Sequence, residues 1–572
     1  MWPGPSSLHI CGCGVKVALS FLCGFTTLTL FLSYRKTMTM RVAVIGCGPS
    51  GLTAVKCCLD EGLDPICFEQ SADLGGLWRF TEEVEDGRGS MYRSVVTNTS
   101  KEMMCYTDFP FPEDFPTYLH NTQVLEYLRM YADHFDLLKY IRFKTKVCCV
   151  KRHADFHTTG QWDIVTETDG KQELNVFDAV LVCSGHHFEV NLPLESFPGI
   201  NSFKGIFCHS REYKNPKQYE GKRVLIVGLG NSAADIAVEI GHTAAKVVLS
   251  TRHGSWVLTR ISNMGNPIDM VYATRFHFWI RDQLPMSVAL WINNKKMNQW
   301  FNHANYGLQP QDRSLMREPI VNDHLPSLIL SGAVRVKPCV TEFGEGSVSF
   351  EDGTWEEVDT VIFATGYIVS YGYLQEADLQ DDVSKLSLFK KVFATSLEKS
   401  TLAFIGLTRS LGAILPAAEM QARWATRVFK GSVRLPSKSA MENYIRKSME
   451  ERAKWFGKDK SQILLSDFIP YMDELAMEIG AKPSLSLFLK DFKLAREVFF
   501  GPCTPYQYRL MGPGAWKGAR KAILTQWERT LKPMRTRVVL EEPRTMARWR
   551  FFMIFGILTV ALAALLNCES LF

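Results

Sequence analysis

The chain has 572 residues, enough for several domains, with 46% hydrophobic and 12% aromatic content and a formal net charge of +5. So small a charge on so long a chain, with no basic cluster interleaved with exposed aromatics, leaves a nucleic-acid-binding role without support. The 15 cysteines include no CxxC pair, which removes zinc-ribbon and dithiol-redox readings; Cys57-Cys58 and Cys148-Cys149, set in apolar runs, read as buried thiols of a reducing compartment.

In chain order, the first feature is an apolar run from Val17 to Leu32, diluted by Ser20, Thr26, Thr27 and Thr29 and followed by Arg35-Lys36. The positive charge after the run predicts a membrane segment that keeps the following body cytosolic. A cleaved signal peptide and a dispensable extension are the rival readings, since Met40 stands directly before the next element.

Arg41-Val-Ala-Val-Ile45 then predicts a strand running into Gly46-Cys47-Gly48-Pro49-Ser50-Gly51, with a helix from Leu52 to Glu61. That is the strand-turn-helix context of a dinucleotide fingerprint. The glycines allow the tight turn, the approach of a pyrophosphate and the packing of helix on strand. A second strand, Pro65-Ile-Cys-Phe68, ends at Glu69, where a carboxylate accepts hydrogen bonds from a ribose 2′-hydroxyl. This unit suits FAD or NAD, with FAD expected first in the chain.

The pattern repeats after Arg223-Val-Leu-Ile-Val227, as Gly228-Leu229-Gly230-Asn231-Ser232-Ala233, with a helix from Ala234 through Asp235 to Gly241. Here the second strand, Val247 to Thr251, ends at Arg252 rather than an acid. A guanidinium pairs bidentately with phosphate, so this unit suits the 2′-phosphate of NADPH. Two copies in one chain predict an α/β fold with two Rossmann-like dinucleotide-binding domains and redox chemistry between them.

Between the units lies Phe203-Lys-Gly205-Ile-Phe-Cys-His209-Ser-Arg-Glu-Tyr213, and two strands ending in glycine, Ala179 to Gly185 and Val361 to Gly366, mark crossings between domains. From Trp256 through Trp279, Trp291 and Trp300 to Tyr306 the chain is rich in aromatics; amphipathic helices here are either core or a cover that touches a membrane. The uncharged run from Phe551 to Leu566 follows Arg548-Trp549-Arg550 and would span about 24 Å as a helix, somewhat short of a bilayer core. Snorkelling Arg550 and interfacial Trp549 make up the difference, which predicts a tail anchor; a monotopic interfacial helix is the alternative.

The two glycine motifs, the His209 signature, the Phe363-Ala-Thr-Gly-Tyr367 segment and the apolar tail, in this order and spacing, resemble the vertebrate microsomal flavin-containing monooxygenases. The resemblance covers essentially residues 40 to 572, with two departures: the extension before Met40, and Ala233 where the family has glycine. It implies that NADPH reduces FAD, that O₂ adds to give a C4a-hydroperoxyflavin, and that lipophilic soft nucleophiles, amines and thioethers among xenobiotics, are oxygenated. It implies a catalytic Asn98, flanked by Thr97 and Thr99, whose amide donates to the peroxide and accepts from the cofactor, and flavin contacts at Leu77 and Trp78. Asn98-Thr-Ser100 is also a glycosylation sequon, and Leu77 and Trp78 read equally as core. His209 is expected in a structural or linker role.

The domains expected are an extension (1–39), an FAD-binding part (40–190), an NADPH-binding domain with the aromatic insert (191–335), a second FAD-binding part (336–480), a C-terminal subregion without chemistry of its own (481–550) and a membrane tail (551–572). The implied location is the endoplasmic reticulum membrane, with membrane lipid as a partner and a homo-oligomer left open. Baeyer-Villiger oxygenation of ketones and a weakly active cofactor-binding paralogue are the competing functions.

Overall fold

The computed structural model describes residues 39–537, apart from 313–315, 317, 376–378, 380–386, 458–463 and 485. In chain order the elements that build the nucleotide-binding frame are β1 (Arg41–Ile45), α1 (Pro49–Asp60), β2 (Asp64–Phe68), β3 (Ile141–Arg142), β4 (Ala179–Val182), β5 (Ile206–His209), β6 (Arg223–Val227), α2 (Asn231–Gly241), β7 (Lys246–Ser250), β8 (Val334–Lys337), β9 (Thr360–Phe363) and β10 (Leu402–Phe404). They form two five-stranded sheets. One runs β10-β4-β1-β2-β3 and the other β8-β7-β6-β9-β5, and every pair in both is parallel.

The strand sequences explain this. In β1, β6 and β7 the last four of five residues are buried, so the strands carry apolar side chains on both faces, as a parallel sheet covered on both sides requires. Both α1 and α2 start at the glycine loops, earlier than the expected Leu52 and Ala234, because Pro49 and Asn231 already open the first turn.

One expected boundary is wrong. The NADPH-binding domain does not end at 335: β8 runs to Lys337, and β9 pairs with both β6 and β5 as an inner strand of the second sheet. The chain returns to the first sheet only with β10, whose partner is β4. The two crossings predicted at Gly185 and Gly366 thus follow strands of different sheets.

A fifteen-residue helix, Leu415–Phe429, packs along α1, and the C-terminal helix Ala519–Leu531 docks on the Lys101–Met104 turn and the Pro505–Arg509 segment; buried charges tie this region to the body. Arg509 Nη2 lies 2.6 Å from Glu419 and 2.8 Å from Asp108, and Arg529 Nε lies 3.0 Å from Glu102. Burial pushes the Asp108 carboxyl up, but Arg509 and Lys56 outweigh it and hold the group below the usual carboxylate range. The C-terminal subregion is therefore part of the body rather than a stalk.

Among the described residues no helix is long and apolar enough to cross a membrane. Both apolar runs, Val17 to Leu32 and Phe551 to Leu566, lie outside the described residues. Among those described, all cysteines are free thiols; Cys57 and Cys58 are buried as expected, while Cys148 and Cys149 are only half-buried, at a register irregularity of an antiparallel strand.

Candidate functional site

The C-terminal ends of β1, β2 and β4 open into a cavity of about 1850 Å³ that continues to the N-terminus of α2 and into the aromatic insert. Glycine is required at its first wall. Gly46 has φ +94°, and a Cβ on Gly51 would stand 1.8 Å from the Gly46 carbonyl oxygen. A Cβ on Gly48 would point toward Gly76, 3.6 Å away, so Gly46, Cys47, Gly48, Pro49 and Ser50 form a bare backbone cradle at the uncapped N-terminus of α1. The helix dipole and the N–H groups of the first turn of α1 favour a pyrophosphate there.

Glu69 stands at the end of β2 as predicted and lines the cavity. Its Oε2 accepts from the Cys47 N–H at 2.7 Å and its Oε1 from the Ser71 hydroxyl at 2.7 Å, which aims the carboxylate across the glycine loop. Leu77 and Trp78 form a short 3-10 turn on the cavity wall. Opposite them, Leu411 to Leu415 line the cavity at the uncapped start of the helix Leu415–Phe429, whose positive end faces inward.

The second motif is built more loosely. A Cβ on Gly228, at φ +114°, would meet the Ala364 carbonyl oxygen at 2.5 Å, whereas one on Gly230 would meet nothing within 4 Å. Ala233 and Ala234 are fully buried against the second sheet, so the extra methyl at 233 is accommodated in the core. Asn231, Ser232 and Asp235 reach the cavity. Asp235 accepts from the Tyr92 hydroxyl at 2.6 Å and from Asn322 Nδ2 at 2.8 Å, while burial raises its carboxyl above the usual range. Arg252 is exposed at the end of β7, outside the cavity wall.

Asn98 lies between the two walls. Thr97, Asn98 and Thr99 all line the cavity, and Thr97 is pinned by the Leu119 N–H donating to its hydroxyl at 2.9 Å. Arg260 Nη2 donates to Asn98 Oδ1 at 2.7 Å, and Arg260 Nε to the Thr97 carbonyl at 3.0 Å. Because a guanidinium only donates, the amide atom facing it must be the oxygen. Arg260 takes one of the two acceptor positions of Asn98 Oδ1 and so fixes which end of the amide is Nδ2, the end that can donate. Asp323 in turn holds Arg260 through Nη1 at 2.7 Å.

His209 closes the junction of the two sheets. Its Nδ1 accepts from the Arg211 N–H at 3.1 Å, so Nε2 donates to the Gly366 carbonyl at 3.0 Å, and burial lowers its pKa; it is a neutral linker, as expected. Nearby, burial lowers His187 to about 4. The aromatic insert divides in two. Trp256 is buried, whereas Trp279, Trp291 and Trp300 are 53%, 63% and 43% exposed, while Phe278, Ile292 and Lys296 line the cavity. The insert is thus part core and part cavity cover.

Sequence reasoning missed Arg260, Asp323 and Asp269, all brought to Asn98 from the insert or beyond it. It also missed Gly406, at φ +82°, where a Cβ would stand 2.1 Å from the Ser50 hydroxyl. Only a glycine at a strand end hinted at the last; nothing in the local sequence marks the other three.

A family model described as flavin-binding monooxygenase-like matches residues 39–569. The chain is similar to dimethylaniline monooxygenase (N-oxide-forming) 2 of Mus musculus, 56% identical over 528 residues that cover 92% of this chain and 98% of that protein. It is also similar to flavin-containing monooxygenase 3 of Homo sapiens, 54% identical over 534 residues that cover 93% and 100%. Among solved structures, S-allyl-L-cysteine S-oxygenase from Allium sativum shares the fold at a TM-score of 0.58 and 22% identity, covering 86% of this chain and 99% of that one.

Proposed function

The chain belongs to the flavin-binding monooxygenase-like family, and we propose that, as a monooxygenase using FAD and NADPH, it transfers one oxygen atom of O₂ to lipophilic amines and thioethers. The observation that carries this is the single cavity that joins a glycine cradle and Glu69 on one wall to Asn231 and Ser232 on the other, with the Asn98 amide between them. The cradle fits FAD, since side chains at 46, 48 and 51 would fill it or strike backbone. FAD reduced by NADPH supplies the activated oxygen.

The residues of this chain supply the setting. Asn98 Nδ2 presents a fixed donor where negative charge develops on oxygen, and Arg260 with Asp323 keeps that donor from turning away. The start of the helix Leu415–Phe429 offers positive potential to an electron-rich ring. The apolar insert excludes water, which protects a reactive oxidant from breakdown. Amines such as dimethylaniline, which the mouse relative's name gives as its substrate, are the nitrogen class proposed here.

The proposed location is the endoplasmic reticulum membrane with the body cytosolic. The apolar runs at both ends and the exposed Trp279, Trp291 and Trp300 support it. The functional reading is tested with purified, flavin-loaded protein supplied with NADPH in air and either N,N-dimethylaniline, methyl phenyl sulfide or cyclohexanone. N-oxide and S-oxide are expected, each dependent on NADPH. Lactone as the main product would favour ketone oxygenation instead, and flavin-loaded protein that makes no product would support the weakly active paralogue.

A further inference from the structure

Asp269 sits in the first turn of a short insert helix, Ile268–Tyr272, and lines the cavity that Asn98 lines. Its Oδ2 accepts from the Ser100 N–H at 2.7 Å, two residues from Asn98, and its Oδ1 from its neighbour's N–H, Met270, at 2.9 Å. Of the other cavity carboxylates, Asp323 is paired with Arg260 at 2.7 Å, Asp467 with Arg281 at 2.7 Å and Glu318 with Arg409, while Glu69 and Asp235 stand in the two nucleotide walls, each held by neutral donors. Among the described residues Asp269 has no cation. A buried carboxylate without a cation is costly and gains from a cationic visitor.

Resting on the reading of this protein as an amine oxygenase, we propose that Asp269 is the docking and proton-accepting group for amines that arrive as ammonium ions. An aliphatic tertiary amine is almost wholly protonated at neutral pH and has no lone pair to attack oxygen. In the site the N–H proton passes to an Asp269 oxygen, the freed lone pair forms the N–O bond, and the O–O bond breaks. The second oxygen leaves as water, taking up a proton that Asp269 returns. Overall, R₃NH⁺ + O₂ + NADPH gives R₃N–O + H₂O + NADP⁺, which balances in atoms, charge and electrons. Thioethers, which carry no proton, have no need of Asp269.

The surroundings suit a carboxylate that can hold a proton. Burial pushes the Asp269 carboxyl up to about 6. Tyr118, close enough to feel its charge, donates its hydroxyl to the Arg260 carbonyl at 2.7 Å, and the Arg260 guanidinium is itself taken up by Asp323 and Asn98. From the insert helices come His277 and Lys296, both lowered by burial, with Lys296 lying 4.6 Å over the Tyr272 ring. The neighbours of Ser100 turn away, Lys101 to the carbonyls of Pro112, Glu113 and Phe115, and Glu102 to Arg529.

The test compares three aryl probes of similar size on holoenzyme: N,N-dimethylbenzylamine, an ammonium at neutral pH; N,N-dimethylaniline, neutral there; and methyl phenyl sulfide. Asp269→Asn keeps an oxygen for the Ser100 N–H, so the Asn98 loop stays in place. It should lower kcat/KM for the benzylamine about tenfold or more at neutral pH, the scale of one charge-assisted contact, and leave the other two within about twofold. Asp269→Glu should restore part of the loss. In the wild type the ratio of benzylamine to sulfide kcat/KM should be flat between about pH 6.5 and 8.5, whereas in Asp269→Asn it should rise about tenfold per pH unit with the free-amine fraction. Equal losses for all three probes, or a unit slope in the wild type, would overturn the proposal; the wild-type profile decides alone if Asp269→Asn fails to hold flavin. Absence of product from all three probes with the wild type would instead refute amine and thioether oxygenation itself.

Discussion

Asn98 shows how a neighbouring guanidinium orients a single amide. With Oδ1 bound to Arg260 at 2.7 Å, the amide is held in one orientation and Nδ2 is left as its donor. In Asn98→Asp the carboxylate keeps the Arg260 contact but turns a lone pair toward oxygen that is gaining negative charge. FAD content should be unchanged, NADPH should still be consumed, and product formation should drop about a hundredfold or more, the size of one lost oxyanion donor. Product yield per NADPH, measured beside the flavin spectrum, checks this; an unchanged yield would remove Asn98 from the mechanism. The residue was legible in the sequence because its segment resembles the family's. Its partner was not, since Arg260 lies 162 positions away and is brought back by the fold of the insert. The same holds for Asp269, which no local pattern separates from an ordinary surface acid.

At the scale of elements, two strand-turn-helix units were readable because glycine requirements are local. How strict each glycine is depends on the spacing of helix and strand, which the sequence does not state. Gly51 lies against the Gly46 carbonyl with no room for a methyl, while the equivalent position in the second unit already holds Ala233, fully buried and without harm to the core. Gly51→Ala should therefore yield protein without FAD, and Ala233→Gly should change KM for NADPH by less than about threefold. Flavin absorbance per polypeptide and NADPH kinetics decide both; a large gain in NADPH affinity from Ala233→Gly would show that the methyl does reach the cofactor. The domain boundary at 335 failed for a related reason. Where β9 re-enters the second sheet is set by parallel pairing with β6 and β5, a long-range choice that leaves no local mark.

For the whole molecule, the body ties itself together before the tail begins. Arg509 and Arg529 lock the C-terminal subregion onto Glu419 and Glu102, both fully buried, so everything up to residue 537 belongs to the catalytic unit. Removing Phe551 to Phe572 should leave flavin content and NADPH oxidation within about twofold of the full chain, while weakening membrane attachment. Carbonate extraction of both proteins is the check. Release of both would refute a spanning tail, and retention of both would place the anchor in the exposed aromatic insert or in Val17 to Leu32.

The central claim, that two cofactor walls meet at Asn98 to move one oxygen atom from O₂ to a soft nucleophile, is tested most directly by isotope. Purified holoenzyme is supplied with NADPH, ¹⁸O₂ and methyl phenyl sulfide, and the S-oxide is weighed by mass spectrometry against NADPH consumed. One labelled oxygen per S-oxide, and close to one NADPH per product, is the predicted result. Unlabelled S-oxide, or NADPH consumed with hydrogen peroxide as the main product, would contradict the account.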